Sequence, residues 1–210
     1  MRMDMTTIEY RHQYSAAQIA DWIVQRITRA LDRSEGAIAI CVPGGSTPFP
    51  IFAEMVTRDL DFARIAIWPN DDRIVPEDHE ASNTGKIRQL FEPLGARVIA
   101  LEPDLDVPEF ALMWLGMGED GHIASLFPNT DPQMDDPQPI RVLTPDPLPP
   151  HAPFDRITLT LPALVCSQEV MFVIRGEEKR AVFDTAAAGD SDLPVARMLA
   201  GVSQQVTCFT

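Results

Sequence analysis

The segment AIAICV, residues 37–42, is apolar at every position and runs straight into PGGSTP. A strand covered on one face alternates apolar with polar residues, whereas one that is apolar throughout must be covered on both. That demand selects the interior of a mainly parallel sheet with helices on either side. RIAIW (64–68), the apolar part of PEFALMWLG (108–116) and EVMFVI (169–174) repeat the pattern. TTIEYR, RVIAL, RITLTL and SQQVTCF supply further predicted strands.

Helical periodicity falls between them. Residues 15–33 place Ile19, Trp22, Ile23, Ile27 and Leu31 on one face, and helices are predicted over 49–60, around 84–91, over GEEKRAVFDTAAA and over LPVARML. Strand and helix in alternation predict one α/β domain over residues 1–210, a length sufficient for a full core. Residues 128–153 hold nine of the nineteen prolines. This stretch is predicted to be a long surface excursion with neither helix nor central strand.

The formal net charge is −14, which makes nucleic acid and anionic membrane surfaces poor partners. An anionic small molecule remains compatible if the few cations gather in one cleft. No apolar run approaches the ~20 residues that span a bilayer, and MRMDMTTIEY lacks a signal-peptide core, so a cytoplasmic protein is expected. Cys41, Cys166 and Cys208 have no metal or redox spacing and are predicted to be three buried thiols.

In a parallel sheet, ligands bind beyond the carboxyl ends of the strands. Three strands end there in polar, glycine- or proline-marked loops. In PGGSTP, Gly44 and Gly45 allow close backbone approach, Ser46 or Thr47 can cap the next helix, and Pro48 suits its first turn. The loop reads as an anion site or as a plain capped turn. In PNDDRIVPEDHEASN, Asp71, Asp72 and Arg73 follow a buried strand and read as a functional cluster or a solvated ion pair.

In GMGEDGH, three glycines release the chain before His122, and Asp120 is placed to fix the imidazole tautomer. IASLF after it is predicted to be a short helix. Glu119, Asp120 and His122 are too close in sequence to form a metal shell alone, and His12, His79 and His151 have contexts that suggest no partner. No metal and no cofactor are expected.

Gly-Gly-Ser-Thr-Pro, Asp-Asp-Arg-Ile-Val-Pro with Ser82 and Asn83 behind it, Gly-Glu-Asp-Gly-His-Ile-Ala-Ser-Leu-Phe-Pro, Arg-Ile-Thr-Leu-Thr-Leu-Pro-Ala-Leu and Gly-Glu-Glu-Lys occur in that order. Together they resemble the 6-phosphogluconolactonase family, over most of the chain from Ala37 to about Ala187. The resemblance implies a Rossmann-like three-layer domain and hydrolysis of 6-phospho-D-glucono-1,5-lactone in the oxidative pentose phosphate pathway. It implies His122 as general base with Asp120 beside it, and Arg73 and Asp71 at the reacting end. Gly44, Gly45, Ser46 and Thr47 would cradle the phosphate, Arg156 and Lys179 would supply positive charge, and Asn83 and Gly121 would join the substrate-binding set. The partner would be a phosphosugar lactone, and the protein a monomer or homodimer.

The chain departs from the family pattern in three places. Pro43 stands where a serine is usual, Asp72 replaces a glutamate, and LEPDLDVP is too short for a crossover helix, so a trimmed sheet face is expected. The nearest rival, a glucosamine-6-phosphate deaminase, would carry a glutamate after the histidine, which residues 123–128 lack. The rival of another class is a sugar-phosphate binder without catalysis.

Overall fold

A computed structural model describes residues 7–149 and 152–210. Among the described residues the strands are β1 (Ile8–Arg11), β2 (Ile38–Val42), β3 (Ile65–Pro69), β4 (Asp71–Arg73), β5 (Arg97–Val98), β6 (Leu112–Leu115), β7 (Ile140–Leu143), β8 (Arg156–Leu159), β9 (Val170–Val173) and β10 (Val206–Phe209). The helices are α1 (Ala16–Asp32), α2 (Pro48–Met55), α3 (Asn83–Phe91), α4 (Leu161–Val165), α5 (Glu177–Ala187) and α6 (Pro194–Gly201). Seven strands form a fully parallel sheet in the order β1-β10-β9-β6-β2-β3-β5.

Strand periodicity divides the core in two. Ile40 and Val42 of β2, Leu112 and Trp114 of β6, and Met171 and Val173 of β9 pack with α1, α2 and α3 on one face. Cys41, Met113, Leu115, Val170 and Phe172 point the other way, toward α4, α5 and α6. These are the layers expected of strands apolar on both faces. Helix α1 starts as its sequence demands: Ser15 Oγ accepts from Gln18 N, and Gln18 Oε1 accepts from Ser15 N.

The chain fills the sheet outward from β2 through β3 to β5, then returns to place β6 on the other side of β2. The reversal opens a crevice between the carboxyl ends of β2 and β6. The return over residues 99–109 contains no helix, as expected; Leu101, Leu105 and Val107 cover part of that face instead.

Several expectations are corrected. The loop after β3 contains strand β4, which pairs antiparallel with β8, and β8 pairs with β7 in a separate three-stranded sheet. RITLTL therefore belongs to the small sheet; the proline-rich excursion, as expected, holds no central strand, and its β7 is an edge strand at the proline-free segment Ile140–Leu143. Helix α2 stops at Met55, because the Thr57 hydroxyl and the Arg58 guanidinium both donate to the Glu54 carbonyl. IASLF is a tight turn rather than a helix: Ala124 has φ 49°, and Leu126 N donates to Ile123 O. Cys166 is exposed where α4 ends, while Cys41 and Cys208 are buried.

His12 Nδ1 lies 2.6 Å from Thr210 Oγ1. His79 is exposed, and its Nδ1 accepts from Ala81 N. His151 lies outside the described residues. No described helix is long and apolar enough to cross a membrane.

Candidate active site

A cavity of about 400 Å³ occupies the crevice beyond β2, β3 and β6. Loop PGGSTP brings Gly44, Gly45, Ser46 and Thr47 to its wall; β4 brings Asp71 and Arg73; the loop after β6 brings His122. Asn83 from α3, Arg156 from β8 and Lys179 from α5 complete the expected residues on the lining. Asp120 and Gly121 do not line it. Asp120 stands behind His122, and Gly121, with φ 75°, is a hinge whose carbonyl accepts from Val195 N.

His122 is held from two directions. Its Nδ1 lies 2.5 Å from Asp120 Oδ1, and its ring centroid lies 4.7 Å from that of Phe127. The hydrogen bond from His122 keeps the Asp120 carboxyl below the usual aspartate range. With Nδ1 committed to the carboxylate as donor, Nε2 carries the lone pair. A neutral imidazole fixed this way can take a proton from a water in the cavity.

Strand alternation separates the two aspartates of β4. Asp71 and Arg73 face the cavity, while Asp72 points away and is 6% exposed. Its Oδ1 accepts from Arg73 N and Asn83 N, and its Oδ2 from Thr84 N and Ser82 Oγ. Asp72 thus anchors the amino end of α3, whose own cap is Ser82 Oγ accepting from Gly85 N. The anchored helix presents Asn83, which accepts from Arg73 Nη1 at 2.6 Å and donates to the Asp71 carbonyl. Asn83 packs so closely on Gly44 that a Cβ there would lie 2.1 Å from its side chain.

Arg73 and Arg156 are register partners across β4 and β8. Burial, then the neighbouring Arg73 charge, push the Arg156 pKa down, so the site holds like charges at a cost. Arg156 Nη1 and Nη2 each donate to a carbonyl, of Phe154 and Ala152, which fixes that segment at the cavity rim. An anion bound nearby relieves the repulsion. Burial raises the pKa of Asp71, and Ser125 Oγ donates to its Oδ2 at 2.5 Å.

The expected cap of α2 is absent: Thr47 occupies the position but makes no side-chain bond to the helix. Pro48 and Pro50 have no N–H, so of the first four helical residues only Phe49 and Ile51 carry one, and no side-chain cap takes it up. Among the described residues no three His, Cys, Asp or Glu side chains cluster as metal ligands.

Sequence reasoning passed over Asn70, Ser125 and Arg175, all on the lining. Arg175 sits just beyond β9, and the carboxyl-end rule alone flags it. Asn70 directly follows β3 and is flagged by the same rule, whereas Ser125 carries no local signal, because its place depends on the small sheet.

Fold and site define the class: an open parallel α/β protein with an arginine- and histidine-lined cleft at its topological switch point. The chain matches the family of glucosamine-6-phosphate isomerases/6-phosphogluconolactonase over residues 11–102 and 95–208, and it belongs to that family. It is 36% identical to a 6-phosphogluconolactonase of Neisseria meningitidis, over 87% of this chain and 88% of that one. It is 32% identical to the 6-phosphogluconolactonase of Rattus norvegicus, over 81% and 76%. The crystal structure of a 6-phosphogluconolactonase from Shewanella baltica superposes with a TM-score of 0.80 at 26% identity, covering 99% of this chain and 98% of that one.

Proposed function

We propose that the protein hydrolyses 6-phospho-D-glucono-1,5-lactone to 6-phosphogluconate, the lactone-opening reaction of the oxidative pentose phosphate pathway. The observation that carries this reading is the His122–Asp120 pair, with Nδ1 and Oδ1 2.5 Å apart, at one side of a cavity whose other side is the Gly44–Thr47 loop. A δ-lactone is an activated ester, so its opening needs a base for water and donors for the tetrahedral oxyanion.

His122 Nε2 takes the proton of the attacking water, and Asp120 stabilises the imidazolium. As the intermediate collapses, the same proton passes to the departing ring oxygen. The guanidinium of Arg73, or loop N–H groups, receive the oxyanion. The substrate phosphate rests on the N–H groups of the Gly44–Thr47 loop, with Lys179 supplying charge. A net charge of −14 is then no obstacle, because Arg73, Arg156, Arg175 and Lys179 all line the cavity.

The test generates the lactone in situ from glucose 6-phosphate and subtracts its spontaneous opening. Acceleration by the protein that disappears in His122→Ala supports the reading. Full acceleration by that variant would remove His122 as the base, and no acceleration by the native chain would remove the activity.

A further inference from the structure

The floor of the cavity, between the Gly44–Thr47 loop and the β6 loop, contains an amide whose bonding within the protein is incomplete. Asn70 directly follows β3 and is 1% exposed, yet lines the cavity. Its backbone is fully used: its N–H donates to Val42 O, and its carbonyl accepts from Leu159 N, tying the main sheet to the small one. Its side chain rests on two sulfurs, with Nδ2 2.9 Å from Cys41 Sγ and 3.6 Å from Met113 Sδ. Oδ1 is buried and has no partner.

In either orientation one end of the amide faces the weakly bonding sulfurs. Buried polar groups are nearly always paired, so an orphaned one on a ligand cavity points to a bond completed by the ligand. The next residue, Asp71, already holds Ser125, and Arg73 Nε is likewise buried without a partner. Among the described residues six buried side-chain atoms lack a hydrogen-bond partner, and two of them, Asn70 Oδ1 and Arg73 Nε, belong to residues that line the cavity.

We propose that the free end of the Asn70 amide hydrogen-bonds the C2, C3 or C4 hydroxyl that the lactone and its open-chain product share, and so selects the hydroxyl pattern of the sugar. The proposal rests on the lactonase reading for the identity of that sugar. A hydroxyl can donate or accept, so it satisfies the amide in either orientation. A ligand lacking that hydroxyl would bury the amide unpaired, and sites built this way discriminate strongly against the deoxy analogue.

The experiment is calorimetric titration with 6-phosphogluconate and its 2-, 3- and 4-deoxy forms, on native protein and on Asn70→Ala. Native protein is expected to bind one deoxy form about tenfold or more weakly than the parent. Asn70→Ala is expected to lose a similar factor on the parent and nothing further on that deoxy form. Equal losses on all four ligands would mark Asn70 as merely structural, and unchanged affinities would give it no role; either overturns the proposal. Asn70→Leu, closer in volume, repeats the comparison should the alanine variant fail to fold. Lactone turnover is measured separately. Native protein that discriminates without turnover would defeat the lactonase reading and leave Asn70's role standing, whereas turnover without discrimination would do the reverse.

Discussion

A Cβ on Gly118 would lie 2.1 Å from Cε1 of His122 and 2.2 Å from its Nδ1. The histidine ring therefore lies in a space that only a glycine leaves open, and the Gly118 N–H closes the loop by donating to the His122 carbonyl. Methyl and imidazole cannot share this place. Gly118→Ala is expected to swing the ring off Asp120 and lower kcat about a hundredfold, with KM little changed, since misplacing a reacting group by an ångström costs that much. Steady-state kinetics beside a thermal melt check it.

Removing the carboxylate behind the histidine has a distinct signature. Asp120→Asn keeps the shape but accepts less well from Nδ1–H, so kcat is expected to fall by about a hundredfold or more. Because the His122 bond lowers the Asp120 pKa, its contribution to stability is present above the ordinary aspartate pKa of 3.8 and is lost as pH falls through the lower folded value. Melting native and variant proteins from pH 7 down to pH 2 should show any difference between them closing in acid.

Asp71 runs the opposite way. Burial raises its pKa, so its charged form costs stability, fully above the folded pKa and not at all below the unfolded one. Asp71→Asn is expected to melt higher than the native protein at pH 7, with the gain vanishing in acid and turnover reduced. A variant that melts lower at pH 7 would show that Arg73 and the Ser125 hydroxyl outweigh burial.

Asp72 performs a structural task beside the site. It accepts from three backbone N–H groups and one hydroxyl, so Asp72→Ala is expected to destabilise the fold by about 3 kcal/mol in urea unfolding. Asn83 would lose its anchor, and KM should rise more than kcat falls.

Lys179 lines the cavity from the first turn of α5. Lys179→Ala is expected to raise KM about tenfold, the loss of one charge-assisted contact, and to leave kcat largely intact. The salt dependence of kcat/KM should weaken in the same variant.

The legible part of this protein lay in local pattern. Double-sided apolar strands required helices on both faces, and glycine-marked loops at strand ends located the Gly44–Thr47 loop and the histidine turn, because burial on two faces and left-handed backbone both leave marks in neighbouring residues. The missing crossover helix was legible for the same reason, as a segment too short to contain one. Long-range pairing left no such mark. Adjacent aspartates 71 and 72 read alike in sequence, and only the pairing of β4 with β8 turned one into the cavity and the other onto the end of α3. The same sheet drew Ser125 to Asp71 and bent IASLF into a turn, against its apparent helical pattern. Asn70 became the floor of the site only when β2, β3 and β6 were laid side by side. Sequence determined which segments must be buried and where the chain must turn; tertiary structure decided which polar atoms those burials paired and which they left unpaired.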